Sequence, residues 1–252
     1  MKRFVLLLIG LLPVAVFGQG IEVQPRHLID LPTAWPMPRA GFDLKVRAFG
    51  GGGALVALSV GVSNEFMFGA SYGGNHILGE DSLIWNRAPG ILLRYKMIEE
   101  SFALPAISIG FESQGYGPFI GGPKSRYTNK SRGFYAVGSK SYDFFEHLDF
   151  HGGVNYSLER TEDGTSPINF FMGGALAFNQ DFELLAEYDF AVNDTKDKEE
   201  FGSGNGYLNA GLRLNIKKVV YIELFLKNLT KNRRTSNYFT REFQLTFFQY
   251  IL

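Results

Sequence analysis

The sequence contains no cysteine. Disulfide frameworks, thiol chemistry and metal sites built from cysteine are therefore excluded, and no lipid can be attached to a cysteine after secretion. The chain also has no excess of charge of either sign, with 25 basic and 25 acidic residues, so nothing indicates a nucleic-acid partner. We expect no bound cofactor.

A long hydrophobic run is also missing. Residues 4–17 are apolar and follow Lys2 and Arg3, but they include Pro13 and are fewer than the roughly 20 residues of a membrane-crossing helix. A membrane anchor is the alternative, but a charged start, a short apolar stretch and a small residue at its end are typical of a secretory signal peptide. We predict cleavage after Gly18.

The rest of the chain is dominated by residue patterns with a period of two. In residues 148–159 the apolar residues, among them Leu148, Phe150 and Val154, alternate with polar residues such as Asp149. Such alternation puts all the apolar side chains on one face of a β-strand, whereas a helix would scatter them. A soluble β-sandwich would need a second sheet over that face, but a barrel in lipid turns it towards hydrocarbon.

Twelve segments show strand patterns, and we predict an all-β, antiparallel transmembrane barrel of about 12 strands. The segments are 41–49, 54–62, 65–72, 90–98, 104–113, 132–142, 147–159, 168–178, 181–193, 206–217, 219–229 and 238–252. Short links alternate with longer polar links, which is typical of outer-membrane barrels. The link at Gly50 to Gly53 is an exception, and we interpret it as a tight hairpin rather than a phosphate-binding loop.

The chain ends in an aromatic strand, Phe247-Phe248-Gln249-Tyr250-Ile251-Leu252, similar to the assembly signal of outer-membrane proteins. The barrel-assembly machinery and outer-membrane lipid are therefore expected partners, and the outer membrane is the expected location. The apolar parity changes between Phe247 and Phe248, so we predict a β-bulge there. The chain would then comprise a signal peptide at 1–18, a segment at 19–40 and a barrel at 41–252.

The segment 19–40 is rich in proline, with Pro25, Pro32, Pro36 and Pro38, which argues against regular structure. The sequence leaves two possibilities open. The segment can plug the lumen of the barrel, or it can extend into the periplasm.

Charged residues on the polar face of the predicted strands are candidates for the lining of the lumen. Basic residues come from early strands and acidic residues from late strands, so opposite walls are predicted to carry opposite charge, with one arginine beside the acidic group. The candidates are Lys45, Arg47, Arg94, Lys96, Asp149, Glu159, Glu183, Glu187, Asp189 and Arg213. Walls of opposite charge around an open pore are one interpretation, and a closed lumen braced by salt bridges is the other.

Residues that could carry catalysis or bind a metal are poorly placed along the predicted strands. His147 and His151 are about 13 Å apart at the usual rise per residue, too far to share a metal ion. His151, Ser157 and Glu159 have the side-chain types of outer-membrane lipid hydrolases, but one strand spreads them over more than about 20 Å. We therefore predict no catalytic residue and no metal site.

Several stretches resemble the YjbH-like outer-membrane proteins encoded with exopolysaccharide genes. They are residues 28–34 followed by Met37 and Gly41, residues 90–100 leading into 105–112, and residues 133–142. The resemblance implies a short, single-barrel relative of those much longer proteins, with surface polysaccharide as a partner. A transport or export component, a non-conducting structural barrel and a lipid-modifying enzyme are the functions considered.

Overall fold

We analysed a computed structural model of the chain, which describes residues 24–79, 82–120, 125–159, 166–195, 202–232 and 239–251. The predicted signal peptide at residues 1–18 lies outside these ranges. Among the described residues, no helix is long and apolar enough to cross a membrane.

The described residues form fifteen β-strands. They are β1 (Gly41–Phe49), β2 (Gly53–Gly61), β3 (Phe66–Asn75), β4 (Ile84–Trp85), β5 (Gly90–Ile98), β6 (Ala106–Glu112), β7 (Tyr116–Ile120), β8 (Arg126–Asn129), β9 (Gly133–Tyr142), β10 (His147–Tyr156), β11 (Ile168–Asn179), β12 (Phe182–Asp189), β13 (Tyr207–Ile216), β14 (Val220–Lys227) and β15 (Thr240–Tyr250).

Twelve of these strands close into one antiparallel barrel, which confirms the predicted fold. Each strand pairs with its neighbours in chain order, and β1 closes the ring by pairing with both β2 and β15. The other three are accessory: β4 pairs with the end of β3, and β7 and β8 form a separate hairpin between β6 and β9. Closure pairs the backbone groups that the edges of an open sheet would leave unpaired.

The side chains alternate between the lumen and the outside, as the period of two requires. Every barrel strand exposes large apolar side chains on its outer face: Leu44, Val56, Phe68, Leu93, Ile109, Phe134, Phe150, Phe170, Leu184, Leu208, Leu224 and Leu245 are one example from each. Most polar side chains of the same strands are buried inside. The barrel is thus inverted relative to a water-soluble protein, with its apolar surface outside.

The two ends of the barrel differ in their connections. The links 62–65, 99–105, 143–146, 180–181 and 217–219 lie at the end that we call the turn end. The longer links and the β7–β8 hairpin lie at the opposite end, which we call the loop end. At the loop end, the glycine link after β1 is the tight turn that the sequence predicts, with left-handed backbone at Gly51 (φ 77°) and Gly52 (φ 64°).

The last strand corrects one prediction. β15 pairs with β1 in continuous register through Phe247 and Phe248, and its pairing with β14 runs without a shift as far as Phe247, so the predicted bulge is wrong. Phe248 keeps the inward parity of its strand and is buried, next to Met37 and Met67. The apolar alternation changes here because an aromatic residue, Phe248, occupies an inward position in the lumen. The strand register itself does not shift.

Candidate functional site

Residues 24–40, which we call the inner segment, enter the barrel from one end, and the stretch from Arg26 to Met37 is buried against its wall. The segment folds back on itself: Leu28 N–H donates to the Leu31 carbonyl (2.9 Å), and Thr33 N–H donates to the Arg26 carbonyl (3.1 Å). His27 and Pro32 form the bridge between its two arms. The inner segment is therefore a hairpin-like loop with its tip at residues 28–31.

The tip is bound by a carboxylate of the wall. Oε2 of Glu187 on β12 accepts the backbone N–H groups of Ile29 (3.1 Å), Asp30 (2.9 Å) and Leu31 (2.9 Å). Its other oxygen accepts the side-chain amide of Asn209 at 2.7 Å. Three consecutive N–H groups converging on one charged acceptor form a strong anchor, because hydrogen bonds to an ionised group are about twice as strong as neutral ones.

The side chain of Asp30 makes a second anchor at the tip. Its carboxylate pairs with Arg47 on β1 at 2.8 Å and with Lys227 on β14. Arg47 also pairs with Glu242 on β15, at 2.5 Å, and donates to the Ile29 carbonyl at 3.3 Å. Buried charges need such partners, since an unpaired charge in the lumen would be costly.

Two further arginines bind carbonyl groups of the inner segment. Arg213 donates to the carbonyls of His27 (2.9 Å) and Leu28 (3.1 Å). Arg94 donates to those of Arg26 (2.8 Å) and Trp35 (2.9 Å). These contacts satisfy main-chain carbonyls that the irregular, proline-rich segment cannot pair internally.

Apolar contacts accompany the polar ones along the whole segment. They fall into three clusters of buried residues: Leu28 and Ile29 with Ala175, Leu185 and Phe225; Leu31, Ala34 and Trp35 with Ala106, Tyr135, Val137 and Phe171; and Met37 with Met67, Leu92 and Phe248. The inward apolar residues of the wall lie where the segment touches it. Wall and segment therefore pack as a protein core does.

A serine and a histidine of the wall meet beside the segment. Ser139 Oγ lies 2.8 Å from Nδ1 of His151, and the same hydroxyl accepts the Ala34 N–H at 2.7 Å. The His151 ring packs edge-on against Trp35, with ring centroids 5.0 Å apart. The pair faces the inner segment and not the outer leaflet, where a lipid-modifying enzyme would need it. Ser157 is hydrogen-bonded instead to the Glu159 N–H, at 3.3 Å.

The structure places the predicted lumen charges in several different environments. Arg47, Arg94 and Glu187 bind the inner segment, and Arg213 pairs with Glu183 at 2.6 Å. The remaining five candidates lie elsewhere. Asp189 pairs with Arg132 at 2.5 Å, Lys96 pairs with Glu99, and Asp149 lies 3.4 Å from His147. Lys45 lines two small cavities beside His27, and Glu159 lies past the end of β10.

The predicted strand 147–159 is three residues too long, because β10 ends at Tyr156. The carboxylate of Glu159 therefore belongs to the loop end and not to the barrel wall. It accepts the backbone N–H of Tyr127 on β8 at 3.1 Å. Burial raises the pKa of Glu159 to about 7, although the hydrogen bonds from Tyr127 and Ser131 oppose the shift. Near neutral pH this side chain therefore exchanges between its protonated and charged forms.

The prediction that opposite walls carry opposite charge is wrong. Early strands also contribute acids, Asp43 on β1 and Glu112 on β6, while Lys227 on β14 brings a cation to the acidic side. Arg26 of the inner segment pairs with Asp43 at 2.7 Å. Among the described residues the acidic and basic side chains of the lumen are therefore interleaved and not separated onto opposite walls.

Three further charged residues of the lumen are not among the ten candidates, although the alternation of their strands indicates an inward position. Glu223, Lys227 and Glu242 all lie on the inward parity of β14 and β15. Glu223 pairs with Arg213 at 2.8 Å and also accepts a hydrogen bond from Gln244. The role of Asp30 had no such signal, because it lies in an aperiodic segment.

The β7–β8 hairpin covers the lumen at the loop end. The Tyr116 ring lies over the Arg47 guanidinium at 4.6 Å and the Lys227 ammonium at 5.2 Å, so it contacts both cations that bind Asp30. Arg126 is fully buried and pairs with Asp194 at 2.6 Å. The hairpin thus covers the tip of the inner segment on the side of the loop end.

At the turn end the lumen widens into a cavity of about 680 Å³. Gln24 and Pro25 line it from one arm of the inner segment, and Trp35, Pro36 and Pro38 line it from the other. Both arms therefore reach the same end of the barrel.

No protein-family model and no curated protein matches the chain. Among solved structures, the chain is similar to one described as "KdgM porin", with 13% sequence identity and a TM-score of 0.49. The match covers 84% of this chain and 99% of that one.

Proposed function

We propose that this chain is an outer-membrane β-barrel whose lumen is closed at rest by its own inner segment. The observation that carries the proposal is the convergence of three backbone N–H groups, from Ile29 to Leu31, on the carboxylate of Glu187. Buried backbone groups require partners, and the wall supplies a charged one where the tip turns. Such an anchor favours a stably occupied lumen over an open pore.

The outer-membrane location is supported by the outer surface of the barrel. Large apolar side chains are exposed on all twelve barrel strands, and closure satisfies the backbone where lipid cannot. Exposed aromatic residues lie near both ends, with Phe102, Phe144 and Phe145 at the turn end and the stacked pair Tyr72 and Trp85 at the loop end. They match the girdles that flank the apolar band of such barrels. Outer-membrane lipid and the barrel-assembly machinery are the partners that this proposal implies.

Gated transport or export is the second candidate function. The observation that favours it is that both arms of the inner segment lie at the turn end, so the loop can leave the lumen without being threaded through it. Surface polysaccharide is the cargo that the sequence resemblance implies. The residues that carry this resemblance most specifically, 28–34, include the tip of the segment.

Conductance in planar bilayers tests the closed state. We expect the wild-type protein to be silent, and Glu187→Gln to give intermittent currents, because the tip loses its charged acceptor. Glu146→Gln, at an exposed position of a turn, is the matched control and should stay silent. Steady currents from the wild-type protein would contradict the proposal.

A cysteine lock distinguishes a gate from a permanent closure. The chain has no cysteine, and the backbone N of Ala34 lies 2.7 Å from Ser139 Oγ, so Ala34→Cys with Ser139→Cys introduces two thiols at adjoining positions for a single engineered disulfide. In the Glu187→Gln background, oxidation should silence the currents and reduction should restore them. Persistent currents from the oxidised protein would exclude the inner segment as the closing element.

If Glu187→Gln is silent even when reduced, the barrel is non-conducting and gated transport is rejected. If it conducts, added surface polysaccharide should block the currents when polysaccharide is the cargo.

A further inference from the structure

Three side chains with metal-binding groups converge at the turn end of the barrel, outside the anchors of the inner segment. His147 and Asp149 come from β10, and Glu183 comes from β12. One ligand atom from each lies within 4.8 Å of the others. All three side chains line the 680 Å³ cavity.

The strand register explains how these residues meet. His147 is paired with Ala177 on β11, and Ala177 is in turn paired with Glu183. The methyl group of Ala177 is the only side chain between the imidazole and the carboxylate in this row. Asp149 lies two residues further along β10 and therefore faces the same side. The cluster is thus built on three neighbouring strands and not on a mobile loop.

The distances fit the edges of a tetrahedral coordination shell. Nε2 of His147 lies 3.4 Å from Oδ2 of Asp149 and 3.6 Å from Oε1 of Glu183. A tetrahedral ion with bonds of about 2.0–2.1 Å to nitrogen and oxygen has ligands about 3.3–3.5 Å apart. These two separations need a change of only a few tenths of an ångström to accept such an ion, and the third, between the two carboxylate oxygens, is at most 4.8 Å.

Carboxylate oxygens without hydrogen bonds are the second observation that points to a ligand. Glu183 is 8% exposed, and its Oε1, the oxygen that faces His147, has no hydrogen-bond partner among the described residues; Asp149 is 1% exposed, and its Oδ1, the oxygen further along the carboxylate from the one near His147, has none either. The other oxygen of Glu183 is bound by Arg213 at 2.6 Å, which fixes the carboxylate with Oε1 towards the cluster. Buried oxygens of this kind are normally satisfied, so their orientation requires an explanation.

The charge around the cavity favours a cation. Its lining contains six acidic residues, Glu99, Asp143, Glu146, Asp149, Asp181 and Glu183, against three basic ones, Lys96, Arg213 and Lys218. One imidazole and two carboxylates are ligands that suit zinc, and three protein ligands leave the fourth position open to water. We propose that His147, Asp149 and Glu183 form a site for a divalent transition-metal ion of the Zn²⁺ class.

Metal titration of the full chain, purified without a polyhistidine tag and stripped with a chelator, tests this site. We expect one equivalent of Zn²⁺ to bind by calorimetry, and Co²⁺ to give the intense visible bands of a low-coordinate ion. Zn²⁺ should also raise the melting temperature. His147→Gln should abolish all three effects, while His76→Gln, at a half-buried histidine of the loop end, should retain them.

Asp149→Asn provides a second test, because it keeps the shape of the side chain and removes one charged ligand. We expect it to weaken Zn²⁺ binding at least tenfold in a protein that still unfolds cooperatively. The alternative is that a protonated His147 merely bridges the two carboxylates. In that case the wild-type protein shows no saturable binding, and His147→Gln lowers the melting temperature equally with and without Zn²⁺. The absence of saturable Zn²⁺ binding, or an equal loss of melting temperature with and without Zn²⁺, would overturn the proposal. Both measurements are independent of whether the inner segment closes the lumen.

Discussion

The carboxylate of Asp30 in the inner segment lies 2.8 Å from the guanidinium of Arg47 on β1. Both side chains are buried, and Lys227 binds the same carboxylate. A residue from an irregular segment thus neutralises two cations that project from the wall. This contact makes the stability of the barrel depend on the presence of the segment.

We predict that Asp30→Asn destabilises the protein. The substitution preserves shape but leaves Arg47 and Lys227 without the carboxylate of the inner segment, and breaking a buried pair costs about 3–5 kcal/mol. Denaturant unfolding in detergent, followed by circular dichroism, measures the difference. Asp181→Asn, at an exposed turn, is the control and should change stability by less than about 0.5 kcal/mol. Equal stability of the two variants would show that Asp30 is not an anchor.

A pH dependence follows from Glu159 at the loop end. Burial raises the pKa of this carboxyl to about 7 in the folded protein, above its ordinary value of 4.5. Between these two values the folded state binds more protons than the unfolded state, so this group's contribution to stability decreases as the pH rises. The contribution is fully present below about pH 4.5 and is lost by about pH 8.

Glu159→Gln should remove this dependence, since the amide keeps an oxygen for the Tyr127 N–H and has no charge. We expect the variant and the wild type to be equally stable at pH 3.5, and the variant to be more stable at pH 8.5 by up to about 3 kcal/mol. Unfolding curves at the two pH values measure the effect. A stability difference that does not change with pH would show that Glu159 titrates normally.

The barrel could be predicted because its information is local. A period of two in each segment, from residues 41–49 to 238–252, directly determines which side chains face outwards. The inner segment could not be placed, because its contacts join an aperiodic stretch to strands far away in the sequence, such as the 158 residues between Ile29 and Glu187 or the 186 between His27 and Arg213.

One signal of a filled lumen was nevertheless present in the strands. Leu185, Phe225 and Phe248 are apolar residues on the inward parity, where a water-filled lumen would favour polar ones. Each of them packs against the inner segment. The cluster of His147 and Glu183 was missed for a related reason, since distance along one strand says nothing about residues that meet across neighbouring strands.

The turn between β13 and β14 offers a route to stabilisation. Lys217 and Lys218 both have left-handed backbone, with φ of 56°, and Val219 N–H donates to the Ile216 carbonyl at 3.1 Å. This geometry is a type I′ turn, which favours Asn-Gly. We predict that Lys217→Asn with Lys218→Gly raises stability by about 1 kcal/mol, because a left-handed conformation costs a lysine about that much. The control pair Lys217→Ala with Lys218→Ala removes the same charges and should give no gain in melting temperature.

The neighbouring residues Phe247 and Phe248 provide a matched test of which side of β15 faces the lumen. Phe248 is 4% exposed and packs with Met37, Met67 and Leu92, and its ring lies 5.7 Å from the Arg26 guanidinium. Phe248→Ala should therefore leave a cavity between wall and inner segment and cost about 3–5 kcal/mol. Phe247 lies on the outer face beside Phe42, so Phe247→Ala exchanges a lipid contact for a smaller one and should cost much less. Thermal unfolding of both variants in the same detergent measures the difference, and in vesicles Phe248→Ala alone should speed proteolysis of the inner segment from the turn end. If the two substitutions cost the same, or Phe247→Ala costs more, the inward position of Phe248 is wrong and a bulge at this point of the strand is restored.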